Sequence, residues 1–322
     1  MSRAIAALLG LGLSLGLAGT LHASECIVPS KPGGAMDLTC KLAKAGLQTA
    51  AKPDAHTPMH LSYLPGGIGA VAWHSLISQR GAEADTLVAF SSGSLLNLAE
   101  GKFGKAQPGD VRWVAALGAD YGMIAVRSDS PFHTLADLVA ALRSHPEQVL
   151  IGVSGTVGSQ DWLKMALLAQ RSGVDPKALR FVALEGGGET FTAMAASYVQ
   201  VVSGDASEAA LYADQGKVRV LAVLSEQRLP GVLHQAPTAR EQGVDLVWPI
   251  VRGVWMGPKV PDAAYRRWVA TFDTLLASPR FAQERARLGL YPFALTGAAL
   301  DTYVQKAVQD YKKQASQFKL VR

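Results

Sequence analysis

The residues that could do chemistry in this chain sit in five short glycine- and hydroxyl-rich stretches: Gly33-Gly34, Gly66-Gly67, Ser91 to Ser94, Ser154 to Ser159 and Gly186 to Gly188. Each follows an apolar run and precedes a helical pattern. Glycine lets the backbone approach a ligand, Ser and Thr supply hydroxyls, and helix starts supply free N–H groups and a dipole that favours an anion. In an open parallel sheet, ligands bind beyond the carboxyl ends of the strands. Five such loops in α/β register, split between two units, predict two facing edges that close on a small anion. Any one of them read alone is an ordinary βα turn. The first is the richest: Pro32-Gly33-Gly34-Ala35-Met36-Asp37 leads from a strand into a helix. Asp37 could meet a ligand amine or stabilise the helix N-terminus. In the fourth, Ser154, Thr156, Gly158 and Ser159 are candidate ligand contacts, and Asp205, after a later strand, either faces the cleft or caps a helix.

No catalytic constellation emerges. Gly67-Ile68-Gly69 mimics part of a dinucleotide fingerprint but follows a Pro-Gly-Gly turn, and no acidic residue ends the next strand. There is no Gly-Lys-Ser/Thr phosphate loop, and Gly152-Val153-Ser154-Gly155 is not Gly-x-Ser-x-Gly. A hydrolase using Ser154 or Ser159 would lack an identifiable base and orienting acid. The seven His are scattered. His56 and His60 are separated by a Pro in a segment that reads as loop into strand, and His74 and His133 read as structural. No metal site, cofactor or catalytic residue is expected.

The elements that must position these loops alternate. Strands are expected at Met59 to Leu64, Thr86 to Phe90, Val111 to Leu117, Met123 to Val126, Val149 to Val153, Phe181 to Leu184, Tyr198 to Ser203 and Val218 to Leu224, with helices between most of them. Thr134 reads as an N-cap with Asp137 at N3, a capping box with Asp in place of Glu. The rhythm predicts mostly parallel sheets covered by helices on both faces. Val244 to Trp255 is ambiguous because Pro249 interrupts it; it reads as a return crossover to the first unit. Helices follow from Pro261 to Leu276, Phe281 to Leu288 and Ala298 to Phe318.

The 322 residues are 49% hydrophobic and 18% charged, enough for one large or two ordinary domains. A formal charge of +5, without a basic cluster, argues against nucleic acid as a partner and is compatible with an acidic metabolite. Residues 1–23 read as a secretory signal: Arg3, an apolar run from Ala4 to Ala18, and a cleavage site near Ala23. No later stretch is apolar enough to span a membrane. A soluble periplasmic protein is expected. Its two cysteines, Cys26 and Cys40, flank the first glycine loop, and in an oxidising compartment they suggest a disulfide; two buried thiols are the alternative.

Pro32-Gly33-Gly34-x-x-Asp37, Pro65-Gly66-Gly67-Ile68-Gly69, Gly216-Lys217-Val218-Arg219-Val220-Leu221-Ala222-Val223 and Pro237-Thr238-Ala239-Arg240-Glu241-Gln242-Gly243, in this order behind a signal sequence, resemble the periplasmic substrate receptors of tripartite tricarboxylate transporters, also called Bug receptors. The resemblance implies an α/β, type II periplasmic-binding-protein fold with two Rossmann-like lobes around a ligand cleft. Lobe 1 would comprise 24–126 plus 250–322, and lobe 2 would comprise 127–249. It also implies a carboxylate held by backbone amides, hydroxyls and bridging waters. Gly33, Gly34 and Asp37 match its first-lobe loop, with Ser92 and Ser94 near the next, Ser154 to Ser159 in the second lobe, and Asp205 after the corresponding strand. Two features depart from the family: Pro-Gly-Gly stands for a longer second turn, and Leu184-Glu185-Gly186 replaces aromatic-x-Gly, so a pocket wall would differ. The first loop with its cysteines, and Arg252-Gly253, resemble the citrate-type branch. An Arg252 fork would suit a carboxylate; a surface salt bridge is its other reading. The expected function is a monomeric, non-enzymatic receptor that binds a tricarboxylate such as citrate and delivers it to the membrane subunits of the transporter. A dicarboxylate receptor serving a sensor kinase's periplasmic domain is the alternative.

Overall fold

The apolar run from Ser24 becomes β1 (Ser24–Val28), which lies between β2 (Met59–Tyr63) and β3 (Thr86–Ser91) and is parallel to both. The computed structural model describes residues 23–49 and 58–320. All of the expected leader but Ala23, and His56, fall outside the described residues, as does the Lys52-Pro53-Asp54 stretch, whose proline breaks the helical pattern of the sequence.

The two strands expected at 111–117 and 123–126 are one strand, β4 (Arg112–Arg127). The residues between them stay extended because both ends have partners. Up to Tyr121, β4 pairs antiparallel with β9 (Pro249–Met256). From Gly122 it pairs antiparallel with β7 (Val201–Asp205) and β8 (Val218–Leu224). The register with β9 shifts at Trp113/Ala115 and Ala116/Gly118, as bulges in a long curled strand do. Pro249 interrupts nothing: it is the first residue of its strand, where a missing N–H is tolerated.

The sheet runs β2-β1-β3-β9-β4-β7-β5-β6, with β5 at Leu150–Ser154 and β6 at Arg180–Leu184. The expectation of mostly parallel pairing holds only at its flanks, among β1, β2 and β3 and among β5, β6 and β7. The centre, where β9 and β4 cross between the halves, is antiparallel. The local βαβ rhythm could not show this, because these pairings join strands far apart in the chain.

Each half of the sheet is covered on both faces. In the first half, one core contains Leu38 and Leu42 of α1 (Ala35–Thr49), Trp268 and Phe272 of α8 (Asp262–Leu276) and Phe281 of α9 (Pro279–Arg287). The opposite core contains Trp73 of α2 (Ala70–Ser78), Leu95 of α3 (Ser92–Ala99) and Leu300 and Val304 of α10 (Gly297–Gln317). In the second half, α4 (Leu135–Ser144) and α5 (Gln160–Arg171) cover one face. The other is covered by α6 (Gly187–Ala195) and α7 (Ala206–Ala213). The far end of α10 reaches the second half, where Tyr311 and Phe318 pack on the core beneath α5. Thr134 and Asp137 form the expected capping box on α4. Cys26 and Cys40 form a disulfide that joins β1 to α1 across the first glycine loop, with their Cα atoms 5.7 Å apart.

Candidate functional site

The carboxyl ends of β1, β3, β5, β6 and β7 converge on one cavity between the halves, so the loops singled out in the sequence meet there. Gly34, Ser94, Ser154, Ser159, Asp205 and Arg252 line it, together with Gly93, Asn97, Gln160, Asp161, Gly187 and Glu208. The two sides touch closely. A Cβ on Gly188 would lie 2.8 Å from the Pro32 carbonyl oxygen across the cleft, and within the second half one on Gly187 would lie 2.1 Å from the Glu208 carboxyl of α7. Only glycine permits this approach.

The first loop is held from within. Gly33 takes φ +87° and donates its N–H to Asp37 Oδ2 at 2.9 Å. Asp37 Oδ1 accepts from the Tyr63 hydroxyl at 3.0 Å, and Lys41 Nζ is 2.8 Å from the same carboxylate. Asp37 is buried and does not line the cavity; it orders the loop that leads into α1. Gly33, Ser92, Thr156 and Gly158 are also outside the lining. Ser92 Oγ accepts from the Val251 N–H, Thr156 is exposed, and Gly158 takes φ +82° beside Glu100. Ser94 and Ser159 line the cavity while serving helix starts. Ser94 Oγ accepts from the Ser91 N–H, and Ser159 Oγ accepts from the Trp162 N–H. Ser154 donates its N–H to Asp161 Oδ2 at 3.0 Å.

Arg252 is neither a surface residue nor a free fork. It is buried, and its guanidinium pairs with Asp120 at 2.9 Å and with Asp205. Asp205 is shared: Lys164 Nζ lies 2.8 Å from its Oδ1 and 2.7 Å from Asp161. Asp120 sits on β4 where its pairing passes from β9 to β7, and accepts from the Ser207 hydroxyl at 2.6 Å. Glu208 completes the cluster. Its Oε1 accepts from the Ala35 N–H at 2.7 Å, reaching across the cleft to the start of α1.

Burial and charge sort these groups. Burial pushes the Asp205 carboxyl up, but the Lys164 ammonium and the Arg252 guanidinium together bring it below its ordinary range. Burial outweighs the same cations at Asp120 and Asp161, whose carboxyls are raised with Asp205 adding to the effect. Glu208 is pushed up to about 8, chiefly by burial and then by Asp205 and Asp161. Near neutral pH it is therefore mostly a neutral carboxylic acid. Lys164 and Arg252 stay charged, because the surrounding carboxylates overcome their burial.

Sequence reasoning missed Asp120, Asp161, Lys164, Glu208, Asn97 and Gln160. A usable signal existed for two of them: Asp161 and Lys164 are one turn apart at i,i+3 on an otherwise apolar face. Asn97 is buried, donates to the Ile68 carbonyl, and has an Oδ1 without a hydrogen-bond partner among the described residues. No group of three potential metal ligands occurs among the described residues, and no helix among them is long and apolar enough to cross a membrane.

Residues 105–319 match the tripartite tricarboxylate transporter family receptor, TctC. No curated protein matches the chain. Several solved structures share its fold. MatC (Rpa3494) from Rhodopseudomonas palustris with bound malate is 20% identical, with a TM-score of 0.75 covering 90% of this chain and 98% of that one. The periplasmic binding protein BugD is 18% identical, with a TM-score of 0.79 over 92% and 97%. Rpa4515 from R. palustris with adipate is 20% identical, with a TM-score of 0.79 over 91% and 96%. The family match spans most of the sequence and the fold match nearly all of it; the chain belongs to the tripartite tricarboxylate transporter receptor family and is a non-enzymatic solute receptor on a periplasmic-binding-protein fold.

Proposed function

We propose that this receptor binds a small dicarboxylate in the cleft between two lobes, 24–126 plus 250–322 and 127–249, and presents it to the membrane subunits of its transporter. The protein would act as a monomer in the periplasm after removal of the leader near Ala23. The observation that carries the dicarboxylate reading is the charge balance of the cleft. Arg252 is the one cation among the residues lining the cavity, and it is committed to Asp120 and Asp205. Four buried carboxyl groups, Asp120, Asp161, Asp205 and Glu208, surround two buried bases, Lys164 and Arg252. A solute carboxylate must therefore be held by N–H and hydroxyl donors at the loops, as helix starts allow. Each further negative charge on the solute meets an acid-rich wall in a low-dielectric site, which disfavours a trianion such as citrate. Two relatives of the same fold carry malate and adipate, which are dicarboxylates.

Calorimetric titration with malate, succinate, adipate, citrate and glutamate tests the reading. A dicarboxylate should bind tightest, at least about tenfold ahead of citrate, which corresponds to about 1.4 kcal/mol. Tightest binding of citrate would restore the tricarboxylate reading, and binding of glutamate alone would reject both.

A further inference from the structure

Glu208 is unlike the other acids of the cleft. Asp120, Asp161 and Asp205 each face a cation at 2.9 Å or less, whereas the contact Glu208 makes is with a backbone N–H on the opposite side of the cleft. That N–H belongs to Ala35, the first residue of α1, at the anion-favouring end of a 15-residue helix. The carboxyl lies against Gly187, at the start of α6, so closely that any side chain there would displace it. A carboxyl group between two helix starts, reached through glycine loops from both sides, is the arrangement by which such a cleft would hold a solute carboxylate. Here the protein's own side chain supplies it.

We propose that Glu208 is an internal stand-in for the solute: its carboxyl docks on the start of α1, draws the two sides of the cleft together, and is exchanged for a solute carboxylate on binding. The proposal rests on the carboxylate-receptor reading above. The exchange follows from space and donors. The Ala35 N–H holds one carboxyl oxygen at 2.7 Å, and the Glu208 carboxyl already lies against Gly187, so a solute carboxylate reaches this donor by taking its place.

The exchange also moves a proton. The titratable groups facing Glu208 are Asp205 at the end of β7, Asp161 on α5, Arg252 on β9 and Tyr212 on its own helix; Lys164 on α5 and Asp120 on β4 pair with these acids and with Arg252, respectively. On the elements that pack against it, Asp37 is tied to Lys41 and Glu189 to Lys31, and Glu185 lies on the α6 loop. Burial first, and then the Asp205 and Asp161 charges, outweigh Arg252 and the Ala35 N–H, so the docked carboxyl holds its proton up to about pH 8. Once displaced towards water, it returns to ordinary glutamate behaviour and gives that proton to solvent. The docked state is therefore favoured at low pH, and solute binding strengthens as pH rises towards 8.

Two variants test this in the full mature protein. Glu208→Gln keeps the shape and the acceptor oxygen but cannot titrate; Glu208→Ala removes both. Small-angle scattering without added solute should give the same radius of gyration for wild type and Glu208→Gln at pH 6, and a larger one for Glu208→Ala. Malate affinity of the wild type should rise several-fold between pH 6.5 and 8, where malate itself does not titrate. It should stay flat in Glu208→Gln, and Glu208→Ala should bind at least about fivefold tighter, the worth of one displaced hydrogen bond. Equal scattering for all three proteins, or the same pH dependence in Glu208→Gln as in wild type, overturns the proposal. Because scattering needs no solute, it decides the role of Glu208 even if malate and every other acid fail to bind, which would instead reject the receptor's proposed substrate.

Discussion

At the scale of single residues, Asp205 holds the cleft together. It accepts from Lys164 and Arg252 at once, and both cations are buried. Removing it leaves a buried ammonium and a buried guanidinium each short of one partner. Asp205→Ala should cost about 3–5 kcal/mol of unfolding free energy. Urea denaturation at pH 7 measures it, and a loss below about 1 kcal/mol would mean the cluster relaxes around the gap. Asp205 and Glu208 also predict opposite pH trends. The Asp205 carboxyl is depressed by folding, so its contribution is present above the ordinary aspartate range and is lost as pH falls below it. The Glu208 carboxyl is raised to about 8, so its contribution is present below the ordinary glutamate value and is lost as pH climbs towards 8. Thermal melts of Glu208→Gln and wild type should therefore diverge between pH 5 and pH 8, with the variant the more stable at the upper end. Parallel curves would show that Glu208 keeps an ordinary carboxyl.

At the scale of elements, the first βα unit combines a local device with a covalent one. Asp37 pins the Gly33 N–H, and the Cys26–Cys40 bridge fixes α1 to β1 behind it. The bridge closes a loop with a sequence separation of 14, short enough that its loss should cost about 2–4 kcal/mol. The double variant Cys26→Ser/Cys40→Ser tests this by chemical denaturation, with the oxidised wild type as reference. Because the same unit presents the Ala35 N–H, its solute affinity should fall with its stability, and an unchanged affinity would show that Asp37 alone sets the loop. On α4, Thr134 and Asp137 satisfy each other's N-terminal donors. Thr134→Ala should lower unfolding free energy by about 1 kcal/mol and leave binding untouched, since α4 lies away from the cavity.

At the scale of the whole molecule, two halves of one curled sheet share β4 and β9, and α10 runs from the core of the first to that of the second. Besides the buried Arg252–Asp205 pair and the Ser207–Asp120 hydrogen bond near the crossing strands, smaller contacts bridge the cleft. Lys31 pairs with Glu189 at 2.9 Å, Lys102 donates to the Val157 carbonyl at 3.1 Å, and Glu208 meets Ala35. Contacts of this size would suit the opening and closing of the proposed cleft, because a solute shifts such a balance only by its preference for one state. The exposed Lys31–Glu189 pair is expected to add little. Lys31→Ala should weaken solute binding by no more than about fivefold, as an exposed pair is worth at most about 1 kcal/mol. A larger loss by calorimetry would make Lys31 part of the solute site.

The sequence by itself determined the alternation of strand and helix, the glycine loops, the Thr134 cap, the cysteine pair and the receptor family. Each of these is written in residues close together in the chain, where periodicity, caps and turn chemistry act. The tertiary structure decided which strands lie antiparallel at the centre, why Pro249 begins a strand, and which charges face inward. Asp120, Asp161, Lys164, Glu208 and Arg252 look in sequence like residues of a solvated surface. Burial of the first three and of Arg252 is possible only because β4, α5, β7 and β9 bring opposite charges within hydrogen-bonding distance of one another, while Glu208 on α7 is buried against a backbone N–H. A buried charge is stable only with its partners in place, and these partners are up to 132 residues away along the chain.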